Sequence, residues 1–427
     1  MREMKESGIE WIKAIPSNWN ISKIDQLYVP RNTKVSDFDY QPLSVTMQGI
    51  VPQLESAAKT NAHDSRKLVM KGDFAINSRS DRRGSCGISE YTGSVSLINT
   101  VLKPKEDMNA RYYNWLFHTS MFSDEFYRWG HGIVDDLWST GWQEMKKISI
   151  PSPSLDEQHK IADFLDQKCS EIDALTADIQ TQIETLEEYK KSVITEAVTK
   201  GLDPNVEMQD SGVEWIGKIP ADWNVTKIKY LFSSGKGLSI TKADLEDNGL
   251  PVISYGQIHS KENTNTDIKD CLIRFVDNKY EVFKQCKVNQ YDFVFADTSE
   301  DYDGCGNCCY KRDNSTLYAG YHSIVLHSFK ERDNRFLAYL FKTDSWRKQL
   351  RETASGVKVF SITQKKLINT AVILPPENQR IIIANFLDQK CSEIDQTISE
   401  KQQQIETLAE YKKSLIYEYV TGKKEVA

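Results

Sequence analysis

The chain has 427 residues, 39% hydrophobic and 27% charged, with a formal net charge of −7 at pH 7. This composition is typical of a soluble globular protein, and the length is enough for at least two cores. No run of about 18 apolar residues is present, and the N-terminus MREMKESGIEW lacks the apolar core of a signal peptide, which excludes a membrane protein. We therefore expect a cytoplasmic protein whose eight cysteines are mostly reduced.

The chain is a tandem duplication. FLDQKCSEID runs from Phe164 to Asp173 and again, letter for letter, from Phe386 to Asp395. Downstream of these copies, QIETLEEYKKSVITEAVT is matched by QIETLAEYKKSLIYEYVT. Upstream, a tryptophan motif, SGIEWIKAIPSNW, is matched by SGVEWIGKIPADW. Each half is therefore expected to contain the same elements in the same order.

Residues 1–152 form the first predicted domain. After its tryptophan motif, KLVMKGDFAINSRSDRRGSCG indicates a strand, a turn, a strand and a basic loop. A further strand, VSLINTVLKP, and a helix, RYYNWLFHTSMF, follow. The four tryptophans that the two motifs repeat are interpreted as framework: Trp11, Trp19, Trp215 and Trp223.

A long amphipathic helix is predicted for residues 153–202. Ser154 with Glu157 forms a capping box at its start, and Gly201 provides its end. Its apolar positions recur at three- and four-residue steps. They are Ile172, Leu175, Ile179, Ile183, Leu186, Tyr189, Val193 and Ala197.

Residues 203–376 form the second predicted domain, with the same element order but different loop chemistry. Asp297, Glu300 and Asp301 stand where the first domain has arginines, so one scaffold presents two different surfaces. The sequence DGCGNCC contains a C-x-x-C-C spacing that occurs in zinc sites, although a second cysteine pair is missing. We favour a glycine-rich turn with buried thiols over a metal site.

Residues 377–427 form a second long helix, with its own apolar stripe and an end at Gly422. Two nearly identical stripes predict that the helices pair antiparallel as a coiled coil, which separates the domains. The alternative is that each helix packs only on its own domain. Aligned on glutamine, QHKIADF and QRIIIANF differ by one residue, so an extra isoleucine near Ile381–Ile383 must be absorbed by a bulge or a later helix start.

The net negative charge does not exclude nucleic acid as a ligand. Residues 156–203 contain 12 acidic and 5 basic side chains, a sum of −7, so the rest of the chain is neutral. The segment from Arg66 to Arg83 is locally basic, and local cations are what phosphates require. No Walker A, HExxH or GxSxG motif is present, and we identify no catalytic residue and no cofactor site.

The tryptophan motifs, GDFAINSRSDRRG with GSVSLINTVLKP, GHGIVDDLW and the two FLDQKCSEID helices together resemble the specificity subunit of type I restriction–modification systems. The resemblance covers nearly the whole chain. It implies an α+β fold in which two α/β target recognition domains are separated by two antiparallel spacer helices. It also implies a non-catalytic reader of double-stranded DNA. Two methylation subunits would dock on it to form an adenine methyltransferase, and restriction subunits would add ATP-driven translocation and cleavage.

Two such domains on a rigid spacer would read a split, asymmetric site with an unread gap of fixed length. In the first domain, Arg79, Arg82 and Arg83 are candidate DNA contacts, because arginine reads guanine through two hydrogen bonds. A solvated turn is the alternative for these arginines. Trp138 and Trp142, in LWSTGW, are candidates for stacking on DNA or for packing in the core.

In the second domain, loop position alone selects four further candidates for contact with DNA. They are Tyr321, His322, Lys358 and Ser361. His322 could equally be a structural histidine. Two other functions remain open at this point: a coiled-coil adaptor whose domains bind proteins, and an enzyme with an unrecognised site.

Overall fold

The computed structural model describes residues 2–53, 63–132, 138–330, 332–356 and 358–426. The chain divides into two units: Met1–Gln180 with Lys401–Ala427, and Thr181–Glu400. Both units mix short strands with helices, which confirms the predicted α+β class. No helix within the described residues is long and apolar enough to cross a membrane. The domain boundaries proposed from the sequence, at residues 152, 202 and 376, stay a prediction.

Short strands and short helices make up the globular part of the first unit. The strands are β1 Met4–Glu6, β2 Ala14–Pro16, β3 Asn20–Lys23, β4 Tyr28–Pro30, β5 Lys34–Val35, β6 Leu43–Thr46, β7 Gly49–Pro52, β8 Arg66–Val69, β9 Phe74–Asn77, β10 Cys86–Ile88, β11 Gly93–Ser96, β12 Asn99–Pro104 and β13 Ser149–Ser152. The helices are α1 Ile24–Leu27, α2 Ala110–Phe117, α3 Ser120–Arg128 and α4 Trp142–Met145.

The second unit repeats this pattern of elements. Its strands are β14 Met208–Asp210, β15 Lys218–Pro220, β16 Asn224–Lys227, β17 Phe232–Lys236, β18 Leu245–Glu246, β19 Leu250–Ile253, β20 Arg274–Val276, β21 Phe293–Ala296, β22 Thr298–Ser299, β23 Cys308–Tyr310, β24 Tyr318–Ala319, β25 Ser323–Ser328, β26 Phe360–Ser361 and β27 Ala371–Leu374. Its helices are α6 Tyr255–Ile258, α7 Arg335–Lys342, α8 Asp344–Arg351 and α9 Gln364–Ile368.

Each unit is built around one antiparallel four-stranded sheet of the same topology. The order is β10-β9-β12-β4 in the first unit and β23-β21-β25-β17 in the second. All four residues of β9, FAIN, and all four of β21, FVFA, are buried, because both faces of these central strands are covered. The helices α2 and α7 pack on these sheets through aromatic side chains such as Phe117 and Phe341.

The two long helices are α5, Leu155–Lys200, and α10, Glu377–Val420, of 46 and 44 residues. They end at Gly201 and Gly422, whose φ angles of +80° and +70° are left-handed and therefore suit glycine. Both predicted helix ends are confirmed. The Ser154 hydroxyl accepts a hydrogen bond from the Glu157 backbone N–H at 3.3 Å, which is one half of the predicted capping box.

The prediction that the second long helix contains an extra isoleucine is wrong. Both helices begin nine residues before the repeated phenylalanine, at Leu155 and at Glu377, so their registers coincide. The error came from pairing the first glutamine of each segment. In the structure, Glu157 is the counterpart of Gln379, because each accepts a hydrogen bond from the indole Nε1–H of its domain's tryptophan.

Trp19 and Trp223 explain why the tryptophan motif is repeated. Trp19 Nε1 lies 2.9 Å from Glu157 Oε2 in the first unit, and Trp223 Nε1 lies 2.7 Å from Gln379 Oε1 in the second. Each ring also packs against the glycine at the end of the other long helix. A Cβ on Gly422 would lie 2.9 Å from the Trp19 ring, and one on Gly201 would lie 3.3 Å from the Trp223 ring. These tryptophans are framework residues, as predicted.

Parts of α5 and α10 run antiparallel within each unit, as the paired stripes predicted. In the first unit, the rings of Phe164 and Tyr419 are 4.4 Å apart, and Lys412 Nζ lies 2.6 Å from Asp173 Oδ1. Moving forward along α5 therefore means moving backward along α10. In the second unit the same ion pair forms from the opposite copies, with Lys190 Nζ 2.6 Å from an Asp395 carboxylate oxygen.

Two of the predicted stripe residues of α5 face solvent instead. Leu175 is 48% exposed and Tyr189 is 49% exposed, whereas Ile172, Ile179 and Ile183 are buried. At about 100° per residue, Tyr189 lies roughly 100° away from the line of buried isoleucines, outside a narrow coiled-coil seam. Its counterpart in α10, Tyr411, is also exposed.

The cysteines Cys308 and Cys309 lie on β23, one on each face of the strand, where they join different apolar clusters. Burial raises the pKa of Cys308 to about 11 and that of Cys309 to about 12. Two thiols on opposite faces of a strand cannot bind the same ion. No cluster of three metal-ligating side chains occurs anywhere in the described part of the chain.

We predict that one of the eight thiols will react in the native protein. Only Cys271 among the cysteines is exposed. The buried thiols are shielded, and thiolate formation is suppressed by burial. A water-soluble maleimide at neutral pH should therefore label one thiol per chain, none in Cys271→Ser, and eight after unfolding. Rapid labelling of two or more thiols under native conditions would contradict this packing.

Candidate nucleic-acid interface

Three segments of the first unit meet at the edge where β9 ends. They are Ser78–Arg79, which follow β9, Leu97–Ile98, which precede β12, and the loop that begins at Ser139. The hydroxyl of Ser78 donates to the Ile98 carbonyl oxygen at 2.5 Å, and Thr140 N–H donates to the Ser78 carbonyl oxygen at 2.9 Å. Arg79 and Ser139 form an antiparallel backbone bridge. Three loops are therefore held together by the Ser78 hydroxyl and by backbone contacts.

The second unit joins the equivalent three segments through backbone hydrogen bonds. Ile362 N–H donates to the Asp297 carbonyl oxygen at 2.9 Å, and Asp297 N–H donates to the His322 carbonyl oxygen at 3.1 Å. Thr298 pairs with Ser361 as Arg79 pairs with Ser139. Because the sheet register also agrees, the positions of the two units can be matched residue by residue.

The matched positions carry different side chains, and we call each set a tip cluster. The first tip cluster is Ser78, Arg79, Leu97, Ile98 and Ser139. The second tip cluster is Asp297, Thr298, Tyr321, His322 and Ser361. The arrangement of the three segments is therefore shared, while the chemistry presented at the edge is not.

The three candidate arginines of the first unit are not equivalent. Arg83 Nη1 lies 3.0 Å from an oxygen of Asp124, and its guanidinium stacks on the Tyr127 ring at 5.2 Å, so it is tied to α3. Arg82 is exposed, and its Nε lies 3.5 Å from a carboxylate oxygen of its neighbour Asp81. Arg79 is exposed at the tip cluster. The structure therefore brings one of the three, Arg79, to the edge where the loops meet.

Trp138 lies beside this edge but packs inward. Its Nε1–H donates to the Tyr127 carbonyl oxygen at 2.8 Å, and its ring covers Gly130, where a Cβ would lie 2.5 Å from Nε1. This is the position of a packing residue, and stacking on DNA stays untested. The neighbouring residues 133–137 of the GHGIVDDLW motif lie outside the described residues.

The basic segment expected between Arg66 and Arg83 is only partly a surface feature. Arg66 is 4% exposed and donates to the hydroxyl and the carbonyl oxygen of Ser94. Lys67 Nζ donates to the Asn99 carbonyl oxygen at 2.7 Å, and burial lowers the pKa of Lys67. Sequence spacing could not distinguish these inward-facing cations from Arg79 and Arg82.

In the second unit, the structure gathers three of the four candidates. Tyr321 and His322 are adjacent at the tip, and Ser361 lies across the sheet edge from them. His322 has a φ of +52° and its Nδ1 lies 3.2 Å from an Asp297 carboxylate oxygen. Lys358 is exposed on the loop that leads to Ser361.

Tyr255 and His259 join the second tip cluster and were missed by sequence reasoning. The Tyr255 ring lies 5.4 Å from that of Tyr321 and 5.5 Å from that of His322. His259 Nε2 lies 2.8 Å from the Thr298 carbonyl oxygen, so Nε2 must donate, and Nδ1 then accepts from Asn307 at 3.0 Å. His259 thus positions the loop after β21.

Leu97 and Ile98 were also missed in the first unit. Aligning SVSLINTV with YAGYHSIV pairs Leu97 with Tyr321 and Ile98 with His322, so the repeat contained the necessary signal. Together with Arg79 and Lys67, these residues line a cleft of about 380 Å³. The cleft opens at the sheet edge where the three loops meet.

These features define a duplicated protein in which one scaffold presents two matched edges with different side chains. Comparison with known proteins identifies the family. Residues 16–185 and 220–407 each match the type I restriction modification DNA specificity domain. The chain belongs to this family and contains two tandem copies of the domain.

The same family appears among relatives and solved structures. The chain is 27% identical over 428 residues to the type I restriction enzyme MjaVIII specificity subunit of Methanocaldococcus jannaschii, covering 96% of this chain and 93% of that one. It is 23% identical over 211 residues, or 48% of this chain and 44% of the relative, to the EcoKI specificity subunit of Escherichia coli.

Two solved structures share the fold over 96% of this chain. One belongs to a study of complex assembly and conformational transition of the type I R-M system, with a TM-score of 0.72 at 12% identity and 99% of that chain covered. The other is the HsdS subunit from Thermoanaerobacter tengcongensis, with a TM-score of 0.52 at 14% identity and 98% covered. The predicted resemblance is confirmed.

Proposed function

We propose that this chain is the DNA-reading subunit of a type I restriction–modification complex and that it recognises a two-part, asymmetric site. The first domain reads one half through the first tip cluster, and the second domain reads the other half through the second. The observation that supports this is the pair of matched edges with unlike side chains, arginine and aliphatic in one, aromatic and acidic in the other. A protein-binding adaptor is not favoured by the family match.

We propose further that the chain is not itself an enzyme. Its relatives are named as specificity subunits, and catalysis in this proposal belongs to methylation and restriction subunits that dock on it. The proposed place of action is the cytoplasm, where such a complex meets DNA. Helices α5 and α10, roughly 66–69 Å long, set the length of the unread gap.

Exposed residues of the long helices support docking of two copies of one partner. Identical residues at buried positions of the two repeats follow from identical packing. Identical residues at exposed positions do not follow from packing. Ser170, Glu171 and Tyr189 are exposed, and so are their identical counterparts Ser392, Glu393 and Tyr411. A large exposed aromatic side chain on each copy is a typical anchor for a protein interface.

The proposal is tested by a DNA-shift assay with its methylation partners. The complex should bind its cognate duplex far more tightly than a duplex with either half scrambled, typically by 10³-fold or more. The chain alone, given labelled methyl donor and DNA, should transfer no methyl group. Equal binding of all duplexes by an intact complex would favour the adaptor, and methylation by the pure chain would contradict the subunit assignment.

A further inference from the structure

The cleft at the end of β9 has an unbalanced charge. Two cations, Lys67 and Arg79, line it, and none of its lining residues that the structure describes is a carboxylate. Lys67 already donates to a backbone carbonyl oxygen, which leaves Arg79 as the group available to a ligand. Such a cleft favours a ligand edge that is rich in hydrogen-bond acceptors.

Arg79 combines a fixed backbone with an exposed side chain. Its N–H donates to Asn77 Oδ1 at 3.1 Å, its carbonyl oxygen accepts from Arg82 N–H at 3.2 Å, and it bridges to Ser139. Among the described residues, its guanidinium has no ion-pair partner, in contrast to Arg82 and Arg83. The base of the side chain is therefore held in place, and the guanidinium with its five donors is exposed at the cleft.

The neighbours of Arg79 are suited to a flat, partly apolar ligand. Leu97 and Ile98 are 40% and 39% exposed at the rim of the cleft, and Trp142 forms part of its wall. Exposed aliphatic side chains beside an exposed guanidinium provide contacts for base edges or a thymine methyl group. A phosphate, by contrast, gains nothing from apolar neighbours.

We propose that Arg79 reads a guanine in the half-site of the first domain, through hydrogen bonds to guanine O6 and N7. This inference rests on the proposed function and names the ligand of the first tip cluster. The planar fork of arginine matches these two adjacent acceptors, whereas a single acceptor needs no fork. At the matched position the second domain has Thr298, which is too short to make this contact. The guanine contact made from this position therefore belongs to one half-site only.

Phosphate oxygens are also hydrogen-bond acceptors, so the experiment must distinguish a guanine contact from a phosphate contact. The full chain in complex with its methylation subunits is titrated with cognate duplexes in which each guanine in turn is replaced by 7-deazaguanine. This change removes only the N7 acceptor. At one guanine the wild-type complex should lose affinity, by up to the roughly 5- to 150-fold expected for a whole two-bond contact.

Arg79→Ala should lose affinity for the unmodified duplex within the same range and lose nothing further when that guanine is modified. Discrimination in the other half-site should be unchanged, which also reports that the variant is folded. Lys71→Ala removes an equal charge from an exposed turn of the same unit and should behave as wild type. The assignment is wrong if the loss of affinity from Arg79→Ala and the loss from the modified guanine multiply. It is also wrong if the cognate site contains no guanine.

A phosphate contact has a different signature. Arg79→Ala would then weaken binding to all duplexes equally and reduce the salt dependence of binding by about one charge, and that result would also overturn the proposal. A failure of the arginine assignment and a failure of the proposed function give different results. If the wild-type complex discriminates between duplexes but Arg79→Ala equals wild type, only the arginine assignment fails. If the wild-type complex does not discriminate at all, the proposed function itself fails.

Discussion

Four residues inserted into each long helix should widen the unread gap of the methylated site by one or two base pairs and leave both half-sites unchanged. The insertions belong after Gln180 and after Glu400, where the two units divide, so each unit keeps its own helix contacts. Four residues are close to one helical turn and add about 6 Å, comparable to roughly two base pairs at 3.4 Å each. Sequencing of methylated sites measures the gap directly.

A two-residue insertion at the same positions is the matched control. It turns the following helix by about 200°, which places the apolar side of each stripe on the opposite face. We expect loss of site-specific methylation rather than a changed gap. A four-residue variant that stays active with its original gap would refute the spacer role, as would a change in the identity of a half-site.

Replacing Trp19 or Trp223 with alanine should destabilise the corresponding unit by about 3–5 kcal/mol, the usual cost of removing a large buried aromatic side chain. The two rings are 0% and 1% exposed, and each contacts the start of one long helix and the end of the other. Hydrogen exchange resolved by unit is the suitable measurement, because a chain of two units need not unfold in one step.

Phenylalanine at the same positions separates packing from hydrogen bonding. Trp19 donates to the carboxylate of Glu157, whereas Trp223 donates to the neutral amide of Gln379. A hydrogen bond to a charged group contributes about 1.5–3 kcal/mol, against about 0.5–1.5 for a neutral pair. Trp19→Phe should therefore cost more than Trp223→Phe. Equal costs would mean that packing alone explains the repeated tryptophan, and a cost below about 1 kcal/mol for either alanine variant would contradict its framework role.

The elements were predictable where local chemistry determines them. Ser154 and Gly201 mark the ends of α5 because capping depends on nearby residues, and the antiparallel pairing followed from two matching stripes. The register error near Ile381–Ile383 arose because identical letters were aligned, while the indole of Trp223 requires only an acceptor, which Gln379 supplies as well as Glu157 does.

The candidate site was less predictable, because the direction of a side chain depends on tertiary packing. Arg66 and Arg79 look alike in sequence, yet one is buried against Ser94 and the other is exposed at the sheet edge. Arg83 is drawn to Asp124, which lies 41 residues away in the chain. His259 reaches the second tip cluster through Thr298, a contact that no local pattern indicates.

Sequencing of methylated DNA from a host that expresses this chain with its methylation partners would show whether two unlike edges of one chain each read half of a site. We expect adenine methylation at a single motif made of two short, different sequences separated by a gap of constant length. Exchanging the second domain for that of a relative should change one half of the motif and retain the other half and the gap. A palindromic or uninterrupted motif, or methylation without a consensus sequence, would contradict the claim that two unlike edges of one chain each read their own half of the site.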